Sequence, residues 1–383
     1  MTSPRDAVIV DCVRTPFGKR NGSFKDTHPE VLGAAPLVAL AERLGLRADE
    51  VDDVIYGNVT PVGEQGLNVA RKAALLVPGW GDAVPGVQLN RMCGSGQQAI
   101  NFAAATVMAG VNEVVVAGGV EHMTRVPIGS DAGPVSEALA ERYEILHQGE
   151  SAERIADKWG FAREDLDRFA LESQLRYAKA RDAGHYKSQI VPVRVTVDGQ
   201  EKVVEADEHP RPSTLEGLQK LKPVFRPEGG RITAGNSSGI VDGAAAVVVA
   251  SAAYAQKRGW KPRARIVAQA AVGSDPVLML TGPIPATRKV LAKAKLDVDA
   301  IDLFECNEAF ASVPLAWMKE CGIDPAKSNA MGGAIAHGHP LGATGAALVT
   351  KLVHELERTG KRHGLSTMCI GFGQGIGTIV ERL

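Results

Sequence analysis

The sequence predicts an α/β protein with two similarly folded halves and a mostly helical segment inserted between them. Three observations support this fold class. Short apolar runs alternate with segments that carry apolar residues at helical spacing. The order of these elements in the second half of the chain repeats the order in the first. Between the halves, Arg125 to Glu228 is rich in charges and amphipathic helices and contains the proline-rich turn 209–212.

The first half alternates predicted strands and helices, each bounded by glycine, proline or polar residues. The predicted strands are 7–10, 51–56, 84–89 and 111–117. The predicted helices are 31–44, 68–76 and 97–108. We expect a turn-rich loop at 11–18 and a buried strand at 84–89. Because strands and helices alternate, we also expect a mostly parallel sheet that is covered on both faces.

The second half repeats this plan at similar spacing. Its predicted elements are a strand at 265–270, a helix at 285–294, a strand at 299–305, a strand-turn-helix unit at 329–354 and a strand at 365–370. The unit at 329–354 matches the unit around Cys93 in the first half. A duplicated α/β unit commonly forms its site where the carboxyl ends of strands from both halves meet.

These patterns divide the chain into three parts. The N-terminal half covers 1–124 and is completed by about 229–262, the inserted segment covers 125–228, and the C-terminal half covers 263–383. Within the inserted segment we predict helices at 151–159 and 163–183. The chain should then return to the core at Thr233 to Gly239, ahead of a helix of small residues and a strand at 245–250.

Composition excludes several classes of protein. A formal net charge of -1 over 383 residues gives no basic excess for nucleic acid. Five cysteines without a CxxC pair indicate neither a disulfide framework nor a zinc site, and they favour a reducing compartment. No apolar run reaches membrane-spanning length, and Met1 to Asp11 lacks the basic and apolar regions of a signal peptide. We therefore predict a cytoplasmic protein with no nucleic-acid or membrane partner.

Cys93 stands in a setting that suits a nucleophile. It lies between an apolar run and a glycine-opened helix, so it should sit at a helix N-terminus. The free amides and positive dipole there favour the thiolate, and we expect them to lower the cysteine pKa. The alternative is a small buried residue under a tight turn, because free cysteine is among the most buried residue types.

Two further turns occupy positions equivalent to the Cys93 turn in the internal repeat. One holds His339, which could take the proton from a cysteine; the alternatives are a structural histidine, or His337 in the same role. The other holds Cys369 at a strand end, where a second thiol could move a proton on and off carbon or could simply be buried.

Hydrogen-bond donors for an oxyanion are predicted beside these turns. Asn307 follows a strand, where its amide could hold a water or donate to an oxyanion, although a turn or helix cap is the commoner use. Gly371 offers a backbone amide at the same end of the sheet. Acyl transfer needs such donors because its tetrahedral intermediate carries negative charge on oxygen.

These motifs together resemble the thiolases, the acyl-CoA:acetyl-CoA C-acyltransferases. The matching segments are 14–18, 90–100, 118–123, 233–239, 242–245, 282–283, 307–311, 332–345 and 369–371. The resemblance runs nearly end to end. It implies a duplicated five-layer αβαβα fold with an inserted, mostly helical loop domain that binds coenzyme A, assembled as a homodimer or homotetramer.

The resemblance also implies roles for the site residues. Cys93 looks like the acylated nucleophile, and His339 like its base. Cys369 looks like the acid and base that act on the α-carbon of the acetyl unit. Asn307 would hold a water that forms one oxyanion hole with His339. The amides of Cys93 and Gly371 would form the other.

Coenzyme A and acyl-CoA are the implied substrates, with no permanently bound cofactor and no metal. By family position, Ser238 and His147 would lie beside the pantetheine and Arg211 near the phosphates. Gln148 stands where biosynthetic members tend to carry methionine. Phe372 stands where a third-position glycine is commoner.

The leading functional hypothesis is a 3-ketoacyl-CoA thiolase of β-oxidation, with other enzymes of that pathway as its candidate partners. The alternative is a biosynthetic acetoacetyl-CoA thiolase. A decarboxylating condensing enzyme on the same fold would pair cysteine with two histidines or with His and Asn, so Cys369 argues against it. A non-catalytic thiolase-like subunit is disfavoured because the chain retains all four candidate catalytic residues, Cys93, His339, Asn307 and Cys369.

Overall fold

The computed structural model describes residues 3–383, and its elements follow the duplicated order. The first half contains β1 (Ala7–Arg14), β2 (Gly18–Lys19), α1 (Pro29–Leu44), β3 (Asp53–Gly57), α2 (Val69–Leu75), β4 (Gly86–Leu89), α3 (Ser95–Met108) and β5 (Val114–His122). The inserted segment contains α4 (Glu137–Ala140), α5 (Gln148–Trp159), α6 (Arg163–Asp182), β6 (Val193–Val197), β7 (Gln200–Val204) and α7 (Leu215–Gln219).

The chain then returns to the first half and continues into the second. The returning elements are β8 (Val241–Ser251) and α8 (Ala252–Lys257). The second half contains β9 (Ala264–Gly273), α9 (Pro283–Ala294), β10 (Leu303–Cys306), α10 (Ser312–Cys321), α11 (Ala334–His337), α12 (Leu341–Thr359), β11 (His363–Ile370) and β12 (Gln374–Arg382). No helix within residues 3–383 combines the length and apolarity needed to cross a membrane.

Ten strands form one mixed sheet in the order β10-β11-β12-β9-β1-β8-β5-β3-β4, with β2 beside β8, and β6 and β7 of the inserted segment form a separate hairpin sheet. Outward from the pairing of β1 with β9, the order is β1, β8, β5, β3 on one side and β9, β12, β11, β10 on the other. Each of these four strands therefore has a counterpart at the same place in the other half, as the internal repeat predicted.

Helices cover the sheet in layers. The helices α3 and α12 pack together in one apolar core between the two halves of the sheet. The helices α1 and α2 cover the outer face of the first half, and α9 and α10 cover that of the second. The resulting αβαβα layering confirms the fold class predicted from the sequence.

The prediction of a mostly parallel sheet is wrong. Only the pairs β3 with β4, β3 with β5 and β10 with β11 are parallel, and the other pairs of this sheet are antiparallel. The turn 371–373 joins β11 to β12 with too few residues for the crossover that a parallel connection requires. The strand β8 comes back from the inserted segment and lies antiparallel to both β1 and β5.

Several local predictions also need correction. The predicted loop at 11–18 is strand through Arg14, because β1 continues along β8. The predicted buried strand at 84–89 is the edge strand β4, which leaves Val87 43% exposed. The expected helix before 245 is instead the start of β8. The expected strand near Asn329 is reduced to one bridge between Phe304 and Ser328.

The inserted segment is tied to the first half by a buried ion pair. The Arg14 guanidinium donates to both oxygens of the Asp207 carboxylate at 2.6 and 2.8 Å, and both side chains are buried. The Tyr177 hydroxyl on α6 donates to the same carboxylate at 2.9 Å. Removing one partner would leave a buried charge uncompensated, so this contact fixes the insertion against β1.

The two central helices approach each other closely where both begin. A Cβ on Gly345 of α12 would lie 2.3 Å from the backbone nitrogen of Gln97 in α3. A Cβ on Gly96 would lie 2.6 Å from the carbonyl oxygen of Gly342. Glycine is therefore required at these positions because the helices α3 and α12 approach too closely for a side chain, and not because of an unusual backbone dihedral angle.

Gly345→Ala tests this contact. Alanine favours a helix over glycine by about 1 kcal/mol, but here the methyl group meets backbone that cannot rotate away. We expect the free energy of unfolding to fall by about 1–3 kcal/mol, measured by urea denaturation. Gly133→Ala is the matched control, because a Cβ there meets nothing within 4 Å. Equal stability of the Gly345→Ala variant and the native protein would contradict the close packing.

Candidate active site

The three predicted turns meet at one end of the central helices. Cys93 lies two residues before α3, and His339 lies two residues before α12. Cys369 is the penultimate residue of β11. Since α3 and α12 pack closely at their N-termini, Cys93 from the first half lies near His339 and Cys369 from the second half.

The Cys93 turn is held by local hydrogen bonds. The Ser95 hydroxyl accepts the Arg91 amide at 2.8 Å and donates to the Met92 carbonyl at 2.6 Å. Met92 has φ 46°, a left-handed conformation that a side chain rarely adopts without support. Cys93 is only 4% exposed. The turn thus fixes the thiol in a buried position.

Burial raises the pKa of Cys93 to about 11. The backbone N–H groups of Cys93 and Gly371 hydrogen-bond the sulfur and act in the opposite direction, and the Glu121 carboxylate adds to the rise. The prediction of a lowered pKa is therefore wrong, because the loss of water around the thiolate outweighs the helix N-terminus. The thiol is protonated at neutral pH and needs a base.

His339 is held as a neutral imidazole whose lone pair lies on Nε2. The Thr344 hydroxyl donates to the Pro340 carbonyl at 2.8 Å, so its oxygen accepts the Nδ1–H of His339 at 2.6 Å. The proton thus sits on Nδ1, which leaves Nε2 as the basic atom. Burial lowers the pKa of His339 to about 3, so the ring is neutral across the physiological range.

Asn307 connects the histidine to the second thiol. Its Nδ2 lies 3.3 Å from His339 Nε2, and its side chain also hydrogen-bonds Cys369. Its Oδ1 is buried and has no partner within residues 3–383. The helix α10 begins at Ser312 without an Asn307 cap. Asn307 is therefore a site residue rather than a helix cap.

Cys369 is fully buried beside the first thiol. Burial raises its pKa well above the ordinary cysteine value, and the negative charge of a Cys93 thiolate raises it further. The two sulfurs therefore sense each other's charge, so that ionisation of one opposes ionisation of the other. This relationship suits two thiols that take turns in one reaction.

His337, the alternative base, is a packed core residue. Its ring lies edge-on to Phe17 at 5.6 Å and to Tyr177 at 6.4 Å. Its Nδ1 lies 2.9 Å from the Gly338 carbonyl. Of the two histidines, only His339 hydrogen-bonds Asn307, so the structure favours His339 as the base.

Two of the predicted coenzyme A residues, His147 and Ser238, lie along one aromatic row. The His147 ring stacks on Phe225 at 5.0 Å, and Phe225 meets Phe310 edge-on at 6.0 Å. The Ser238 amide donates to the carbonyl of Ala309, beside Phe310. The exposed Arg211 donates to the Ala234 carbonyl at 3.2 Å, four residues before Ser238.

Three neighbours of these residues were not assigned a role in the sequence analysis. Thr344 sets the histidine tautomer, but its spacing from His339 gives no chemical signal by itself. Glu121 accepts the amides of Val59 and Gly342 at 2.8 Å each, joining the two halves beneath Cys93. Gln148 hydrogen-bonds the Cys93 sulfur. Only its departure from the family pattern marked that position.

The fold and the two buried thiols near a neutral histidine suit an acyltransferase. Family models match the chain in tandem: thiolase, N-terminal domain, over residues 7–253, and thiolase, C-terminal domain, over residues 260–382. The chain belongs to the thiolase family. The resemblance inferred from the sequence is thereby confirmed.

Individual relatives match over almost the whole chain. A steroid 3-ketoacyl-CoA thiolase of Mycobacterium tuberculosis is 46% identical and covers 99% of this chain and 94% of its own. A beta-ketoadipyl-CoA thiolase of Pseudomonas aeruginosa is 44% identical and covers 99% of this chain and 100% of its own. The crystal structure of the Bacillus anthracis acetyl-CoA acetyltransferase superposes with a TM-score of 0.91 at 39% identity, covering 99% of each chain.

Thr344→Val tests the tautomer of His339. We expect the native protein to keep the proton on Nδ1 from about pH 8 to about pH 5, without titrating. Valine removes the acceptor, so the proton should distribute over both ring nitrogens. Nitrogen-15 shifts of labelled histidine report the difference, and Thr344→Ser, which keeps the hydroxyl, is the control. Titration of native His339 near pH ~6.5 would contradict the assignment.

Proposed function

We propose that this protein is a thiolase that cleaves 3-ketoacyl-CoA with coenzyme A, releasing acetyl-CoA and a shortened acyl-CoA. One observation carries the proposal: two buried thiols from different halves lie beside a neutral histidine, and backbone amides point at one of them. A single thiol and a base would suffice for simple acyl transfer. The second thiol is what a reaction at carbon requires.

In the first stage, His339 Nε2 takes the proton from Cys93, and the sulfur attacks the 3-keto carbonyl. The amides of Cys93 and Gly371 stabilise the oxyanion. The bond between C2 and C3 then breaks, leaving an acyl thioester on Cys93 and the enolate of acetyl-CoA. Cys369 gives its proton to the enolate carbon. His339 and a water held by Asn307 stabilise the enolate oxygen.

In the second stage, the Cys369 thiolate takes the proton of the coenzyme A thiol. The coenzyme A sulfur attacks the thioester, and Cys93 leaves as a thiolate. Protonated His339 returns its proton to Cys93, so the enzyme regains its starting state with every proton accounted for. Both stages are reversible, and the reverse reaction is a condensation. No resident cofactor or metal takes part.

Coenzyme A is proposed to lie along the aromatic row, with its pantetheine beside His147 and Ser238 and its phosphates near Arg211. The stack of His147 on Phe225 gives this surface a fixed apolar floor. The guanidinium of Arg211 is accessible to solvent and always charged, which suits a phosphate.

The physiological direction is proposed to be degradation of acyl-CoA. The relatives named steroid 3-ketoacyl-CoA thiolase and beta-ketoadipyl-CoA thiolase support this direction. The name acetyl-CoA acetyltransferase on a solved relative keeps the biosynthetic alternative open to test. The thiols of Cys93 and Cys369 must remain reduced, which supports a location in the cytoplasm.

A homodimer through the open edge of β4 is also proposed, with a tetramer of such dimers as the larger assembly. The strand pairs with β3 on one side and has no strand partner on the other within residues 3–383. It exposes Val87, and α3, which packs against β3, exposes Phe102. An exposed edge strand with apolar side chains is prone to pair with another chain.

Cys369→Ala separates the two thiols. We expect this variant to be acylated at Cys93 by acetyl-CoA but unable to exchange the α-protons of acetyl-CoA with solvent deuterium, since no acid or base reaches carbon. Mass spectrometry measures both. Cys93→Ala should lose acylation and thiolysis together. Native exchange rates in Cys369→Ala would refute its role, and preference for acetoacetyl-CoA over longer 3-ketoacyl-CoA in the native enzyme would favour the biosynthetic alternative.

Val87→Glu tests the dimer edge. A carboxylate buried between two chains loses its hydration, so we expect the particle mass measured by light scattering to halve or the association to weaken at least tenfold. Val203→Glu on β7 is the control, because Val203 is 45% exposed and also lies on a strand. An unchanged mass for Val87→Glu would place the interface elsewhere.

A further inference from the structure

Gln148 enters the site from the inserted segment on a rigid support. It is the first residue of α5, and the preceding His147 caps that helix by accepting the Gly149 amide at 3.2 Å. His147 is itself held by its stack on Phe225. A Cβ on Gly149 would lie 2.1 Å from the Phe225 ring, so the helix start is pressed against this aromatic residue. The backbone position from which the Gln148 side chain extends is therefore fixed by its surroundings.

The carboxamide of Gln148 reaches the oxyanion donors. Its Nε2 lies 3.3 Å from the position that a Cβ on Gly371 would occupy. The Met92 methyl group lies 3.2 Å from the same position. Gly371 is also the residue whose amide hydrogen-bonds Cys93. A hydrogen bond from the Gln148 side chain lowers the pKa of Cys93, as the backbone amides of Cys93 and Gly371 do.

The charged and titratable groups around Cys93 leave its thiolate poorly stabilised, so a further hydrogen-bond donor would favour the thiolate. Glu121 on β5 raises the energy of a Cys93 thiolate, and a Cys93 thiolate in turn opposes ionisation of Cys369 on β11. His339 is neutral in the resting protein and becomes positive only after it has taken the proton. The N–H groups that hydrogen-bond the sulfur are the contacts that oppose burial directly.

We propose that Gln148 is a further catalytic residue, whose Nε2–H donates to the Cys93 sulfur while it becomes a thiolate and orients it for attack. The role rests on the proposed thiolase function, because it concerns the nucleophile of that reaction. It also makes the inserted segment a contributor to the chemical step and not only to coenzyme A binding. The step itself is unchanged: the proton passes from Cys93 to His339, and Gln148 keeps both of its own protons.

Alkylation of Cys93 by iodoacetamide tests the proposal without any acyl substrate. Below the thiol pKa the rate follows the thiolate fraction, so a rise of about one pKa unit slows alkylation about tenfold at every pH in that range. We expect this slowing in Gln148→Met, which keeps the length of the side chain but has no donor. Gln148→Glu should be slower still, because its carboxylate repels the thiolate.

Two internal comparisons separate a donor from a packing effect. Peptide mass spectrometry reads the half-buried Cys321 in the same sample, and its rate should not change. Lys158→Met, at the exposed far end of α5, should alkylate at Cys93 like the native protein. A native Cys93 rate in Gln148→Met, or equal slowing at Cys93 and Cys321, would overturn the proposal.

Thiolysis of a 3-ketoacyl-CoA is measured on the same variants. We expect kcat/KM to fall about tenfold or more in Gln148→Met, in step with the alkylation rate. Native kcat/KM in that variant would remove the catalytic role. If the native protein shows no thiolysis, the proposed function fails, and the alkylation rates still report whether Gln148 donates to the sulfur.

Discussion

The close approach of the two central helices is the constraint on which the site depends. A cysteine before one helix and a histidine before the other can share a substrate only if the helix N-termini nearly touch. Gly96 and Gly345 make this possible, since a side chain at either would meet the backbone of the opposite helix, and a side chain at Gly342 would meet the Gly57 carbonyl at the end of β3. Glu121 accepts the Gly342 amide from across the same junction and so ties the two halves together. The packing of the core and the geometry of catalysis are therefore one requirement.

The same packing removes water, and the absence of water decides the resting charge state. Cys93 is a neutral thiol and His339 a neutral imidazole, although a solvent-exposed pair would stand much closer to ionisation. A neutral pair avoids the cost of two buried charges until substrate arrives. The Thr344 hydroxyl then matters more than its size suggests, because it decides which ring nitrogen is basic. In the resting site Cys93 is therefore kept as a thiol, and the proton on Nδ1 of His339 leaves Nε2 able to accept the thiol proton.

The sequence predicted most helices and strands and the three turns that meet at the site. It did not predict how the strands pair or how burial changes the pKa values of the site residues. Apolar runs and glycine stops located most strands and helices, and the internal repeat identified the turns at Cys93, His339 and Cys369. The antiparallel position of β8 depends on a partner more than one hundred residues away, which local pattern does not reveal. The raised pKa of Cys93 depends on the layers packed over it. Gln148 was visible only as an unusual residue until the structure placed its amide against Gly371.

The place where the insertion leaves and rejoins the sheet has a consequence for how this enzyme can diverge. It departs after β5 and returns into β8, and these strands are neighbours, with His122 opposite Asp242. The two ends of the insertion are therefore close together, so its length and content can change without shifting the register of either strand. Exchange of this segment between relatives would leave both thiols in place. Because Gln148 belongs to the segment, such exchanges should alter the hydrogen bonding around the Cys93 sulfur.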